Sequence, residues 1–449
     1  MTQQGVRWTT DQVLALAPDV ASRKAGSKLG AAGPWSEAGS SSEGAVWGLC
    51  KGSGSRPYQT VVDTTGPAYK CSCPSRKFPC KHALGLLLLW AGEDNTVAAV
   101  PEATAPEWAG QWLAERRRKA EQRSERGSGE GPGAADPEAA RRRTERRAER
   151  ITAGATELEQ RLADLLRGGL ASAEQAGYGL WEETARRMVD AQAPGLASRV
   201  RELGAIPGSG PGWPVRLLEE CALTHLLDQA WLRREHLPEA LAATVRSRVG
   251  LPASADGPAL RDEWLVLAQY DTAEAKLTTR RIWLYGTRSR STALVLSFGA
   301  AGRAPDTALP VGLVLDAELS AYPGSGARAA LGERFAGPSP APASFRPVGV
   351  DVRSAAVAYG SALRDDPWLE SCPVTLERVI PSPGGEAWQL VDADSDVALP
   401  VAAAARARGG LWKLAAVSGG EPVSVFGEFG HQGFSPLTAW GVGDAVALC

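Results

Sequence analysis

Four residues able to ligate a metal fall within a span of twelve: Cys71, Cys73, Cys80 and His82, in the run Lys70-Cys-Ser-Cys-Pro-Ser-Arg-Lys-Phe-Pro-Cys-Lys-His82. The whole chain has 7 cysteines and 4 histidines, so this one run concentrates the metal-binding chemistry available. Residues two apart on an extended strand point to the same side, so Cys71 and Cys73 can aim both sulfurs at one point while Ser72 faces away. Pro74 and Pro79 restrict the backbone on either side of the turn that must bring Cys80 and His82 back to that point. A Cys3His set suits Zn2+, with sulfur at about 2.3 Å and nitrogen at about 2.0 Å, and four protein ligands leave no open position for a substrate. The chemistry is therefore structural. A disulfide within Cys-Ser-Cys would be strained. Iron–sulfur ligation usually asks for a fourth cysteine where this run has histidine.

The elements that must position these ligands read as a small sheet and a helix. Strand-like runs cover Ala45 to Cys50, Tyr58 to Asp63 and Tyr69 to Cys73, and the segment after His82 is helical, with Leu84, Leu87 and Leu88 on one face. Upstream, Thr9-Thr10-Asp11-Gln12 before Val13, Leu14 and Leu16 marks a capped short helix ending before Pro18. Residues 25 to 45, rich in glycine, serine and alanine, read as loop.

Cys-x-Cys, a short spacer and Cys-x-His together resemble the SWIM-type zinc finger. The surrounding text is similar to its bacterial members with a long C-terminal extension: Val46-Trp47-Gly48-Leu49-Cys50, Gly52-Ser53-Gly54 with Pro57-Tyr58-Gln59, and Ala83-Leu84-Gly85-Leu86 after the ligands. The resemblance covers roughly residues 1 to 92. It implies a zinc-stabilised module that binds protein or nucleic acid, and it implies no reaction. Chains of this kind are similar to those encoded near MoxR-type ATPases and von Willebrand factor A proteins, which suggests protein partners of those classes.

With 449 residues, 44% hydrophobic content and 15 tryptophans, the chain can build two or three real cores. The polar N-terminus lacks the apolar stretch of a signal peptide. The longest apolar run, Ala83 to Trp90, is far short of the roughly 20 residues a membrane span needs. A soluble cytoplasmic protein with no membrane role is expected. The net charge is -2, but residues 1 to 150 carry about +5 and the rest about -7. Arg76, Lys77 and Lys81 beside the ligands, with Phe78, Tyr58 and Trp47 available for stacking, are the candidate partner-binding residues. Three thiolates around Zn2+ leave a net negative cluster, so these cations also offset local charge.

Four regions follow from composition. Residues 1–92 form the finger, a small zinc-stabilised β-hairpin plus helix. Residues 93–136 form a charged helix and a Gly/Ser linker, clearest at Gly127 to Gly133; Glu121, Glu125, Glu145 and Glu149 interleave with the arginine runs, as on solvated helix faces. Residues 137–255 read as a helical bundle, with stripes at Leu158, Leu162, Leu165 and Leu166 and at Leu223, Leu226, Leu227, Ala230 and Trp231. Residues 256–449 are mixed α+β with mostly antiparallel pairing. There Arg281 to Tyr285 and Ala293 to Phe298 read as strands, Ala355 to Leu363 as a helix, and Leu411 to Val417 with Val423 to Phe429 as a hairpin.

Outside the finger no legible set of acid, base and nucleophile appears. Cys221 and His225 share a helix face without a complementary pair, so a packed cysteine beside a packed histidine is expected. His431 in Gly430-His-Gln-Gly433 reads as a loop histidine, Gly208 to Gly212 and Gly324 to Gly326 as turns, and Asp365-Asp366 before Pro367 as a helix end. The expectation is a non-catalytic zinc-binding adaptor or scaffold that docks a protein partner; the alternative is a nucleic-acid-binding regulator acting through the basic finger.

Overall fold

The computed structural model describes residues 7–52, 54, 56–75, 77, 79–92, 100–128, 137–171, 173, 177–273, 277–300, 305, 307–324, 326–342, 345–384, 387–441 and 443–449. Most of the expected Gly/Ser linker lies outside them. No helix among them is long and apolar enough to cross a membrane.

The finger begins with α1 (Thr10–Leu14), closed by the expected capping box between Thr9 and Gln12. Residues 25 to 45 are not the loop their composition suggested. α2 (Val20–Ser27), capped by Asp19, runs through Gly26, and β1 (Trp35–Ser40) follows. The small residues serve close packing: a Cβ on Gly26 would lie 2.7 Å from Leu84 Cβ, and one on Gly85 would lie 2.5 Å from Leu29 Cβ. β1 pairs with β2 (Ala45–Cys50), β2 with β3 (Tyr58–Asp63) and β3 with β4 (Ala68–Cys71), all antiparallel. α3 (Lys81–Ala91) crosses β2 and β3 and is buried on nearly every side, not on one face only. After it, α4 (Glu107–Ser128) lays Ala109 and the two half-buried tryptophans Trp108 and Trp112 against Trp47 and Val61. Arg116, in the arginine run, docks on the sheet by donating to Asp63 and to the Gly66 carbonyl.

The helical region contains α5 (Pro137–Gly168), α6 (Gly177–Asp190), α7 (Pro194–Ala205), α8 (Trp213–Leu232) and α9 (Glu239–Val249). Ile151, Leu158, Leu162, Trp181, Met188, Leu217, Leu227 and Trp231 build its core. The stripes hold except at Leu166 and Leu226, which are exposed. α8 instead turns Leu217, Cys221, Thr224, Leu227, Asp228 and Trp231 inward.

The C-terminal half is mostly antiparallel, as expected, and consists of two closed barrels. In the first, β5 (Ala259–Ala273) pairs with β6 (Leu277–Gly286), β6 with β7 (Thr292–Ala300), β7 in parallel with β9 (Arg328–Arg334), β9 with β8 (Leu313–Ala321), and β8 back with β5. A short β10 (Ser339–Pro340) adds to β8. α10 (Val352–Asp365) leads to the second barrel. Here β11 (Ser371–Gly384) pairs with β12 (Ala387–Asp392) and β14 (Val423–Gly430), β12 with β13 (Ala398–Pro400), and β14 with β15 (Gly433–Trp440). The parallel bridge Val401↔Phe434 closes the ring, and β16 (Val446–Ala447) adds to β15. Each barrel opens on a long bulged strand whose N-terminal part pairs with the fourth strand and whose C-terminal part pairs with the second. Both therefore have the connectivity of a five-stranded Greek-key barrel of the OB type.

The expected strand from Leu411 to Val417 is a helix. Between β13 and β14 the chain forms α11 (Ala403–Arg406) and α12 (Leu411–Ser418), and Gly419 ends the latter in the left-handed region. Leu411, Leu414 and Ser418, three and four apart, are the positions buried, so a period of 3.6 prevailed over the apparent strand.

The regions interlock. One apolar core runs from Trp8, Val46, Val62 and Leu86 in the finger to Trp264, Val266, Ile282 and Leu315 in the first barrel. The outer face of β6 and β7 (Trp283, Tyr285, Leu294) is covered by Phe426, Leu437 and Trp440 of the second barrel. Asp366, expected simply to end a helix, pairs with Arg248, and Trp368 Nε1 donates to the Leu223 carbonyl, which pins the bundle to the second barrel.

Candidate metal centre

The four predicted ligands converge. Cys71 closes β4, Cys73 follows in the turn, Cys80 is the N-cap of α3 and His82 lies in its first turn. The three sulfurs and one imidazole nitrogen all lie within 4.8 Å of one another, so a single ion can reach every one at bonds of about 2.0–2.3 Å. His82 Nδ1 faces the sulfurs, 3.7 Å from Cys71 and 4.0 Å from Cys80. Ser72 turns away as the strand period requires, and its hydroxyl accepts the Gln59 amide at 3.0 Å. Cys80 and His82 are buried, Cys71 and Cys73 half-buried.

The electrostatics of this donor set fit a cation. The Cys80 thiol hydrogen-bonded to Cys71 holds Cys71 well below the ordinary thiol range, with His82 and Thr60 adding to the effect. The same contact pushes Cys80 up, and burial pushes Cys73 up. Three sulfurs this close cannot all ionise by themselves; a divalent cation removes that penalty and makes each a thiolate ligand. Cys71, Cys73, Cys80 and His82 would hold one Zn2+, which supplies a cross-link and no open coordination position.

Sequence reasoning missed part of the support. Thr60, fully buried and directly opposite Cys71 in the β3–β4 register, places its hydroxyl 3.3 Å from the Cys71 sulfur. The Tyr58 ring lies over His82 at 4.8 Å between centroids. Neither contact is legible without strand register. A groove of about 540 Å³ runs beside the centre, lined by Ala21, Ser22, Lys51, Tyr58, Ser75, Lys81 and His82 among others.

The candidate partner residues separate. Lys81 is exposed on the groove, while Lys77 is engaged with Asp19 at 2.6 Å. Arg76 and Phe78 lie outside the described residues. Trp47, expected to be free for stacking, is 3% exposed, because Gly39 and α4 cover its ring. Of the remaining sequence candidates, Cys221 is buried in the bundle, whereas His225 points outward and meets Glu159 at 2.7 Å, so the two do not form half of a site. His431 sits in the turn between β14 and β15.

A strand, a turn and a helix N-terminus clamped by Cys3His define a structural zinc finger. Residues 62–91 match the SWIM zinc finger, and residues 146–249 match the SWIM-associated four-helix bundle domain. The chain thus carries a SWIM zinc finger and the bundle associated with it, followed by a C-terminal extension. No curated protein and no solved structure matches it significantly.

Proposed function

We propose that this chain is a non-catalytic adaptor or scaffold that docks a protein partner at its finger. The observation that carries the reading is the coupling of the closed Cys3His centre to the adjoining groove, since His82 and Cys73 belong to both. A metal without an open position serves shape, and the shape it holds is a cleft with apolar walls at Ala21, Ala25 and Leu29 and cationic rims at Lys51 and Lys81. MoxR-type ATPases and von Willebrand factor A proteins are the partners to test first, on the family resemblance. The test is a binding titration of the full chain against those purified proteins over increasing salt. A docking interface anchored by Tyr58 and apolar walls retains affinity at high salt and loses it in a Tyr58→Ala variant. A second reading, nucleic acid held at the finger by Lys51 and Lys81, is supported by the exposure of both lysines and predicts steep salt dependence instead. Salt-sensitive binding to duplex or single-stranded DNA, abolished by changing those lysines, would replace the adaptor reading.

A further inference from the structure

The groove beside the metal centre has a fixed wall and an unbalanced charge. The wall is α2, held in two places: Gly26 lets it approach Leu84 of α3, and Lys77 of the ligand turn reaches back to its N-cap, Asp19, at 2.6 Å. Asp19 also accepts the Ser22 amide at 2.7 Å, so this carboxylate is already engaged. Among the described residues no acid lines the groove itself. Cations do border it. Lys51 and Lys81 stand on the rim, and Lys28 follows Ala21 and Ala25 at the i, i+4, i+7 positions that share one stripe of α2. All three lysines are exposed, and none has a carboxylate partner among the described residues. The excess is regional: residues 1–92 hold ten lysines and arginines against five aspartates and glutamates, and of those five, Asp19, Glu43 and Asp63 pair with Lys77, Arg117 and Arg116. Three thiolates on a divalent ion leave about one negative charge, which a single lysine offsets.

Positive charge suits phosphate as well as carboxylate, and the walls decide between them. Ala21, Ala25 and Leu29 make an aliphatic wall that fits a branched aliphatic side chain. The tyrosine of the groove, Tyr58, is packed rather than bare: its ring lies 4.8 Å from that of His82, and a Cβ on Gly52 would come within 2.8 Å of its Cε2. Unpaired bases stack on free ring faces, and phosphates are gripped best by a guanidinium fork, whereas the rim here is built of lysines acting as point charges. Carboxylates flanking an aliphatic side chain match both the rim and the wall.

We infer that the groove binds a short acidic segment of a protein partner, seating an aliphatic side chain on Ala21, Ala25 and Leu29 and carboxylates at Lys28, Lys51 and Lys81. This rests on the reading of the finger as a protein-docking module and adds the chemistry of what it docks. The test selects displayed random peptides of about a dozen residues on the immobilised, full, zinc-loaded chain, then measures a selected peptide, labelled with fluorescein, by anisotropy. Enriched sequences should carry several aspartates or glutamates beside a leucine, isoleucine or valine. Lys51→Ala with Lys81→Ala should weaken that peptide on the order of tenfold, and Lys28→Ala about threefold. Replacing the acids of the peptide by their amides should act like the double lysine variant, and replacing its aliphatic residue by alanine should weaken binding about tenfold or more. Rising salt should lower affinity to a plateau and not to zero, because screening removes the lysine contribution and leaves the aliphatic contact. The lysines are exposed, so their removal leaves the finger folded, which an unchanged zinc content verifies. Enrichment of neutral or basic peptides, no enrichment, or equal affinity of the native chain and the double lysine variant overturns the inference while leaving the docking reading to the titration with whole proteins. Displacement of the selected peptide by an equal concentration of single-stranded DNA overturns both in favour of nucleic acid.

Discussion

The finger and the helical bundle each bury ionisable side chains, and they deal with the charge in opposite ways. In the finger, three thiols and an imidazole crowd together where a cation compensates them. In the bundle, Asp228 is fully buried on α8, and neither of its carboxylate oxygens accepts a hydrogen bond from a described residue. Burial, reinforced by nearby Glu159 and only partly offset by Arg199, pushes its carboxyl up to about 9, so it is neutral at ordinary pH. Burial alone thus suppresses charge, and a cluster of ligands reverses the effect only because it can share an ion. Glu428 lies between these cases. It sits at the junction of the barrels, where Tyr270 donates at 2.8 Å, Trp283 at 2.7 Å and Arg281 approaches to 3.5 Å.

Removing a ligand breaks the comparison hardest. Cys80→Ser or His82→Ala should abolish stoichiometric zinc and free the 71–82 segment to proteolysis, because metal binding in such sites is worth on the order of 10 kcal/mol of folding free energy. Because the finger shares its core with the first barrel, thermal unfolding of that barrel should also shift downward, while the bundle is spared. Normal metal content by elemental analysis in either variant would sink the assignment.

Asp228 sets the next test. An unfolded chain would titrate this carboxyl near its ordinary value of 3.8, well below the folded one, so the stabilising term is complete below that value and is lost as pH rises toward about 9. Asp228→Asn removes the titration. Urea midpoints compared at about pH 5 and about pH 9 should therefore fall less in the variant than in the native chain. Equal falls would show that the carboxyl has a partner that neutralises it.

Glu428→Ala should leave the Tyr270 hydroxyl and Trp283 indole unpaired at the junction, at a cost of about 1–3 kcal/mol, read as a lower denaturation midpoint. An unchanged midpoint would mean the apolar contacts of Phe426, Leu437 and Trp440 hold the barrels together without it. The smallest expected effect is at Thr60. Thr60→Val keeps the shape but drops the hydroxyl next to Cys71, and chelator competition should show zinc held about tenfold more weakly, with Thr60→Ser close to native. Identical retention in all three would reduce Thr60 to a packing residue.

The metal centre was legible because its ligands lie within twelve residues, where strand period, proline and helix start decide geometry locally. The capping box at Thr9 and Gln12 and the helices of the bundle were legible for the same reason. Where composition misled, packing was the cause. Gly26, in the stretch whose composition suggested a loop, lies on α2 at a close approach to Leu84 of α3, and the stretch from Leu411 to Ser418 is apolar enough to suit strand or helix until the second barrel selects which positions it buries.

Residue types and short spacings thus determined by themselves that this chain holds a Cys3His centre, a helical middle and a strand-rich end. Tertiary structure alone decided that the strands close into two like barrels, that Trp47 is covered while Trp412 is bare, and that among the described residues Asp228 has no hydrogen-bond partner while Glu428 has two. The physical reason is range. Spacing constrains neighbours within a turn or a strand, whereas Val401 with Phe434, Tyr270 with Glu428 and Thr60 with Cys71 meet only once strand register and barrel closure are set.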